Sequence, residues 1–505
     1  MDIGQQFGSF FVNVFSIISN PTLVLVLFGS TLMGIIFGAL PGLTATLGVA
    51  LLTTLTYSMS TESALIALMG IYVGAVYGGS YGSIMINIPG TAAAAATALE
   101  GYPMALRGEA GKALGLTTTS SAIGTAFGMF FLVIFTPVIA ALALQFTSFE
   151  FFLLAFFGIL ISGSISCPDT VQKGWITGFL GLFLAMVGRD PLQVYPRFTL
   201  GMMQLESGIE VVPVLIGAFG IPQIIQVLKD RQVVAEPAKL NKVLPSFKTI
   251  GRNIKHIFRS ALIGVGIGAV PGIGEDIAAW VSYGTAKKTS KHPENFGTGC
   301  EEGLVASEVA NNACIGGAMI PLLSMGIPGS PPAAMLLGAL MLHGVAPGPM
   351  LEIEQPGFTL KISAILLLAS FAMWIVGILL AKQVVKLLRV PPALFMPVVA
   401  VLCLIGSYAL GLKVFNLYLM IPMGILTYYL TGMGYPIPPL VIGVILGTMA
   451  DANLRRGLMV SQGSLAPFFS RPVALILLII IALTFITNMG FYKKLMTNLK
   501  GRLKK

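Results

Sequence analysis

The sequence predicts an all-α polytopic membrane protein with about 10–14 transmembrane or re-entrant helices, built as two related halves that form inverted repeats with broken helices. Three observations carry this prediction. Only 10% of the 505 residues are charged and 55% are hydrophobic, whereas a soluble chain carries roughly 25% charged residues. The apolar residues are gathered into continuous runs near the ~20 residues that a helix needs to cross a bilayer, without the alternation of a membrane β-barrel. The pattern GA-(Leu/Val)-PG-(Leu/Ile) occurs twice, in GALPGLTATLG (38–48) and in GAVPGIGEDI (268–277).

Taken in order, MDIGQQFGSF lacks basic side chains, so it belongs on the periplasmic side or at the interface, and it has no signal-peptide pattern. Thr22–Leu40 is the first apolar span and runs into a Pro41-Gly42 break. A second break, Pro89-Gly90, ends YGGSYGSIMINIPG. Ala122–Leu144, Phe151–Ser164, Gly174–Val187 and Val211–Leu228 complete a first half, residues 1–228. Residues 229–260 carry Lys229, Arg231, Lys239, Lys242, Lys248, Arg252, Lys255 and Arg259. They read as a basic cytoplasmic connector by the positive-inside rule, ending in a short amphipathic helix. The second half with its following helices, residues 261–490, has breaks at Pro271-Gly272 and Pro328-Gly329. Its later spans are Ile362–Leu380, Pro397–Leu412, Phe415–Leu430 and Val473–Ile486. GTMADANLRRGLMVSQG reads as a cytoplasmic loop boundary in which Asp451 and Arg455 pair at i, i+4. The tail, residues 491–505, is basic (Lys493, Lys494, Lys500, Arg502, Lys504, Lys505) and cytoplasmic. Because the net charge of +10 sits at such boundaries, it indicates topology and contact with anionic membrane lipids, and no nucleic acid.

The halves align by landmarks. GIIFGALPGL matches GVGIGAVPGI, with the prolines 230 positions apart (41 to 271). YGGSYGSIMINIPGTAAAA matches IGGAMIPLLSMGIPGSPPAA, with the prolines 239 apart (89 to 328). Duplicated halves with Gly/Pro-interrupted segments at matching places point to a transporter binding site. A proline removes a backbone donor and breaks the helix. The helix that restarts then offers unpaired N–H groups and a positive dipole end to an anion. The expected carboxylate-binding residues are therefore Pro41, Gly42, Thr44, Thr46, Asn87, Pro89, Gly90, Thr91, Gly272, Pro328, Gly329 and Ser330. A kink that serves packing alone is the alternative for any one break. Glu275 and Asp276 read as caps of a helix start or as servants of a cation, and not as substrate contacts.

Within Gly303–Leu323, Glu308 with Asn311 and Asn312 lies at i+3 and i+4 spacing on one helix face. A carboxylate beside amide oxygens could hold Na+ or carry a proton, so these three are the expected cation-coupling residues; an interfacial helix start facing water is the bland alternative. Tyr77, Tyr81 and Tyr283 line the cavity or pack. The four cysteines (Cys167, Cys300, Cys314, Cys403) and three histidines (His256, His292, His343) are too dispersed for a disulfide framework or a metal site. P-loop, HExxH and GxSxG patterns are absent from the sequence, so no catalytic residue, no enzyme activity and no cofactor is expected, and the driving force is an ion gradient or the flow is passive.

GALPGLTATLGVALL, YGGSYGSIMINIPGTAAAAATALEGYPMALRGEAGKALG, GAVPGIGEDIAAWVSY, VASEVANNACIGGAMIPLLSMGIPGSPPAAMLLGALMLHGVAPGPML and LRRGLMVSQG together resemble the large membrane (permease) subunit of the bacterial tripartite tricarboxylate transporter family. The resemblance covers nearly the whole chain; the central connector and the tail are generic. It implies a secondary transporter of the bacterial cytoplasmic membrane that takes organic acids, often di- or tricarboxylates, from a periplasmic solute-binding protein. It also implies a small membrane subunit as partner and Na+ or H+ as coupling ion. A stand-alone carboxylate carrier or an anion channel is the alternative.

Overall fold

The computed structural model describes residues 3–190, 192–230, 236–243, 247–409 and 412–488. Arg231 and the basic tail residues lie outside them. The described chain is almost wholly helical, with one two-residue β-hairpin, Gly188–Arg189 against Pro196–Arg197. The helices are α1 (Ile3–Ser19), α2 (Pro21–Ala39), α3 (Ala45–Leu55), α4 (Thr61–Ile86), α5 (Ala94–Leu106), α6 (Ala110–Ala143), α7 (Ser148–Ser166), α8 (Val171–Ala185), α9 (Val211–Asp230), α10 (Phe247–Arg252), α11 (Ile254–Gly268) and α12 (Gly274–Thr289). They continue with α13 (Glu301–Met325), α14 (Pro331–Leu342), α15 (Leu351–Glu354), α16 (Phe358–Leu379), α17 (Ala381–Leu387), α18 (Met396–Ala409), α19 (Phe415–Gly432), α20 (Pro438–Val460), α21 (Pro467–Ser470) and α22 (Pro472–Asn488).

Among the described residues, seven helices are long and apolar enough to cross a membrane, and every apolar span expected from the sequence is a helix. One of the seven, α4, is missing from the sequence expectation. Its YGGSYGS segment dilutes the apolar run, and the helix holds its place by burial, with an interior face on nearly every side. The second half of α6 exposes Phe130, Ile134 and Val138. These residues lie on one stripe at helical spacing, an apolar surface of the kind lipid tolerates.

The chain forms two compact units, one of residues 1–143 and 212–428, the other of 144–211 and 429–505. In the first unit the helix pair α2/α4 is repeated as α11/α13. A Cβ on Gly34 would strike the carbonyl oxygen of Ile71, and one on Gly264 that of Ala310. Likewise Gly38 faces the Ala75 carbonyl and Gly268 that of Cys314, while Gly78 faces Ile35 and Gly317 faces Val265. Each correspondence uses the same two offsets, 230 for the earlier helix and 239 for the later. The repeated glycines are thus the contact itself, since backbones approach this closely only without a Cβ.

In the second unit, α8 and α20 meet through Gly178, Gly181 and Gly443, and α7 packs on α22 through Phe149, Leu153, Leu160 and Ile481. Here the sequence reading of 451–456 needs correction. Asp451 and Arg455 lie inside α20, not at a loop boundary, and they do not pair with each other. Asp451 accepts from Arg197 Nη2 at 2.8 Å, and Arg455 pairs with Asp190. The i, i+4 spacing puts both on the face that the hairpin covers, and the hairpin brings a buried countercharge to each.

The described part of the basic connector packs on the first unit: Ala238 N–H donates to the Met85 carbonyl at 2.9 Å and Asn241 Nδ2 to that of Gly108 at 2.6 Å.

Candidate functional site

All four proline-glycine breaks are turns between helices. After α2 the chain turns at Pro41-Gly42, with Gly42 at φ +92°. Thr44 then caps α3, its hydroxyl accepting from Leu47 N–H at 3.2 Å, and Thr46 is buried. α4 stops at Asn87, which adopts the left-handed conformation (φ 55°). After Pro89-Gly90, the Thr91 hydroxyl accepts from Ala94 N–H at 3.4 Å at the start of α5. Gly90 rests on the Gly38 carbonyl, which locks the two first-half breaks together.

The second-half breaks repeat this arrangement. Gly329 rests on the Gly268 carbonyl, the equivalent of Gly38. Gly272 N–H donates to Pro328 O at 3.3 Å, so its amide is already used. Ser330 caps α14, accepting from Ala333 N–H at 3.3 Å. Its hydroxyl lies 2.8 Å from Tyr72 Oη on α4, and Tyr72 also donates to Glu275.

Accessibility divides the expected substrate residues. Gly42, Thr44, Pro89 and Thr91 are half-buried and Asn87 is exposed, while Gly272, Pro328, Gly329 and Ser330 are buried. Pro41, Thr46 and Gly90 are buried as well. The first-half breaks therefore keep polar groups within reach of a solute, whereas the second-half breaks spend theirs on each other and on Tyr72 and Glu275.

Glu308 on α13 is fully buried. Ser80 on α4 donates to its Oε1 at 2.6 Å, Thr97 on α5 to the same oxygen at 2.5 Å, and Ser121 on α6 to Oε2 at 2.7 Å. No basic side chain among the described residues pairs with it. A buried carboxylate is costly without a countercharge, so hydroxyls alone leave its charge to be balanced by a proton or a cation. Asn312 donates to the Glu308 carbonyl at 3.1 Å, and its Oδ1 lies 3.5 Å from Thr125 Oγ1. Asn311 reaches Val76 O at 3.5 Å, and its buried Oδ1 has no hydrogen-bond partner. The three expected coupling residues thus lie together in the interior. A water-facing helix start is excluded by their exposure of 0–1%.

Sequence reasoning missed Tyr72, Ser80, Thr97 and Ser121. Each sits in a small-residue helix where a hydroxyl reads as packing, and only the assembled helices show where it points. Tyr77 and Tyr81 are buried anchors; Tyr77 Oη lies 2.5 Å from Thr118 Oγ1 and Tyr81 donates to Gly377 O at 2.6 Å. Tyr283 holds Glu100 at 2.8 Å. The same carboxylate accepts the backbone N–H groups of Gly297, Gly299 and Cys300 at 2.6–2.8 Å. Beside it lies a charged cleft of about 480 Å³ that includes Arg107, Lys112, Arg252, His256, Glu301 and Glu302, with Lys112 paired to Glu301 at 2.8 Å.

Comparison with known proteins gives a family match over residues 23–442, to the family described as tripartite tricarboxylate transporter TctA. The chain is similar to an uncharacterized 52.8 kDa protein in the TAR-I ttuC' 3'region of Agrobacterium vitis, 36% identical over 461 residues, 91% of each chain. It is also similar to an uncharacterized protein in the TAR-II ttuC' 3'region of the same organism. There the identity is 35% over 212 residues, 42% of this chain and 88% of that protein. No solved structure matches.

Proposed function

Since the chain belongs to the tripartite tricarboxylate transporter TctA family, it is a multi-pass membrane component of a transport system, and we propose that it imports organic acids, such as di- or tricarboxylates, down a Na+ or H+ gradient. In this reading it sits in the bacterial cytoplasmic membrane with its C-terminus in the cytoplasm. A periplasmic solute-binding protein delivers the acid, and a small membrane subunit completes the complex. The substrate carboxylate meets the first-half breaks at Thr44, Asn87 and Thr91, where hydroxyl, amide and helix-start N–H groups remain accessible. The coupling cation, or proton, rests on Glu308 with Asn311 and Asn312.

The observation that carries this reading is the Glu308 carboxylate, buried without a basic partner and beside the unpartnered Asn311 Oδ1. One negative charge among oxygen donors suits a monovalent cation or a proton. Alternating access then moves the repeats around the site.

The test is uptake of a panel of labelled carboxylates into a deletion strain carrying the full system, with and without Na+ and with the proton gradient collapsed. Accumulation that needs one gradient and the binding protein supports the proposal. Uptake by reconstituted vesicles without a binding protein would instead identify a stand-alone carrier. Flow indifferent to both gradients would identify an anion channel.

A further inference from the structure

Glu275 and Asp276 follow the Pro271-Gly272 break, yet neither is used at the two sites above. They do cap helix starts, but those of other helices. Glu275 is buried, takes the Tyr72 hydroxyl and lies within hydrogen-bonding reach of Ser330, the N-cap of α14. Asp276 accepts from the backbone N–H of Ala93, at the start of α5, and its residue is solvent-exposed although it is surrounded by protein. It therefore faces an internal opening, beside the half-buried Thr91. In the repeat register Glu275 corresponds to Ala45 and Asp276 to Thr46, so the first-half break brings no acid of its own.

We propose that Glu275 and Asp276 are specificity-determining residues that favour acids of low negative charge: the chain's own carboxylates hold the starts of α14 and α5, leaving the start of α3, at Thr44, for a single carboxylate of the substrate. This rests on the carboxylate site proposed above and narrows its substrate class. A second substrate carboxylate must either displace Asp276 from Ala93 N–H or lie beside its charge. At the effective dielectric of a protein interior, two like charges a few ångströms apart repel strongly enough to change affinity about tenfold or more.

The full-length chain in lipid nanodiscs at about pH 7.5, where all three acids are ionised, is titrated with lactate, succinate and citrate. The quantity read is the ratio of citrate to lactate affinity. Asp276→Asn is expected to raise it about tenfold. Asp276→Ser, whose hydroxyl can still accept from Ala93 N–H, is expected to raise it similarly, which separates charge from folding. Glu275→Gln should raise it less, because its charge is sealed behind Tyr72 and Ser330. If the wild-type chain binds these acids and both Asp276 variants leave the ratio unchanged or lower it, the specificity proposal fails and the carboxylate site stands. If the wild-type chain binds none of the three, both fail.

Discussion

At Glu308, hydroxyls from three helices converge on one carboxylate, and the two ends of the interaction differ in what they cost to remove. Glu308→Gln keeps an acceptor for two of the hydroxyls and deletes the charge. It is expected to leave the protein folded and to abolish the cation dependence of uptake, lowering the gradient-driven rate at least tenfold; transport assays across a Na+ and pH series check this. Glu308→Ala strands Ser80, Thr97 and Ser121 without an acceptor, and each buried unsatisfied group costs about 1–3 kcal/mol. That variant is expected to unfold at visibly lower temperature. Glu100 offers a contrasting case, since its ligands are three backbone N–H groups and Tyr283. It holds the 297–300 loop in place and has a structural role. Burial pushes the Cys300 thiol up from its ordinary value, which lowers the thiolate fraction and slows alkylation. Glu100→Ala releases the loop, so alkylation of Cys300 at mildly alkaline pH should accelerate severalfold. An unchanged rate would show that the loop stays closed without its clamp. The sequence makes Glu308 conspicuous as a charge among apolar residues, but a serine in GGSYGS carries no sign of its partner 228 positions away.

On the scale of elements, the helix pairs α2/α4 and α11/α13 are held by backbones that touch. Two glycines on α11 separate this from mere helix flexibility. Gly264 faces the Ala310 carbonyl, whereas nothing lies within 4 Å of a Cβ on Gly266. Gly264→Ala should therefore drive α11 and α13 apart and cost about 1–3 kcal/mol, the range for overpacking. Gly266→Ala should be neutral or slightly stabilising, because alanine is the better helix former by about 1 kcal/mol. Thermal unfolding of the two variants in detergent compares them directly, and equal effects would refute the close-contact explanation. The repeat itself was legible in the sequence, because Pro-Gly landmarks survive in order at constant offsets. The small residues between them define the register, and the structure reads it back as matching contacts. The one helix the sequence hid, α4, was hidden for the same reason: the residues that let it pack are not hydrophobic enough to advertise a span.

For the molecule as a whole, the second compact unit depends on a buried charge network that a linear reading assigned to a loop. Asp190 accepts from Leu192 N–H and Gln193 N–H at 2.8 and 3.0 Å and also pairs with Arg455. It anchors a hairpin in which Val194, Phe198 and Leu200 hold positive φ, a conformation costing about 1–3 kcal/mol per residue. Asp190→Ala removes the anchor and leaves Arg455 buried without its acid. Amide exchange across 192–202 is expected to rise by more than tenfold; protection equal to wild type would show that the hairpin is held by other contacts. What the sequence determined by itself was the solvent, the helices and the duplication. Hydropathy, helix breakers and repeated landmarks are local quantities, and each can be counted along the chain. What only the tertiary structure decided was which breaks remain open and which are filled. Ser330 and Thr91 are equivalent in the repeat, yet one is sealed by Tyr72 and Glu275 and the other still faces an opening. That difference comes from residues some 200 positions apart meeting in space, and no local pattern encodes such a meeting because packing is a property of the assembled surface.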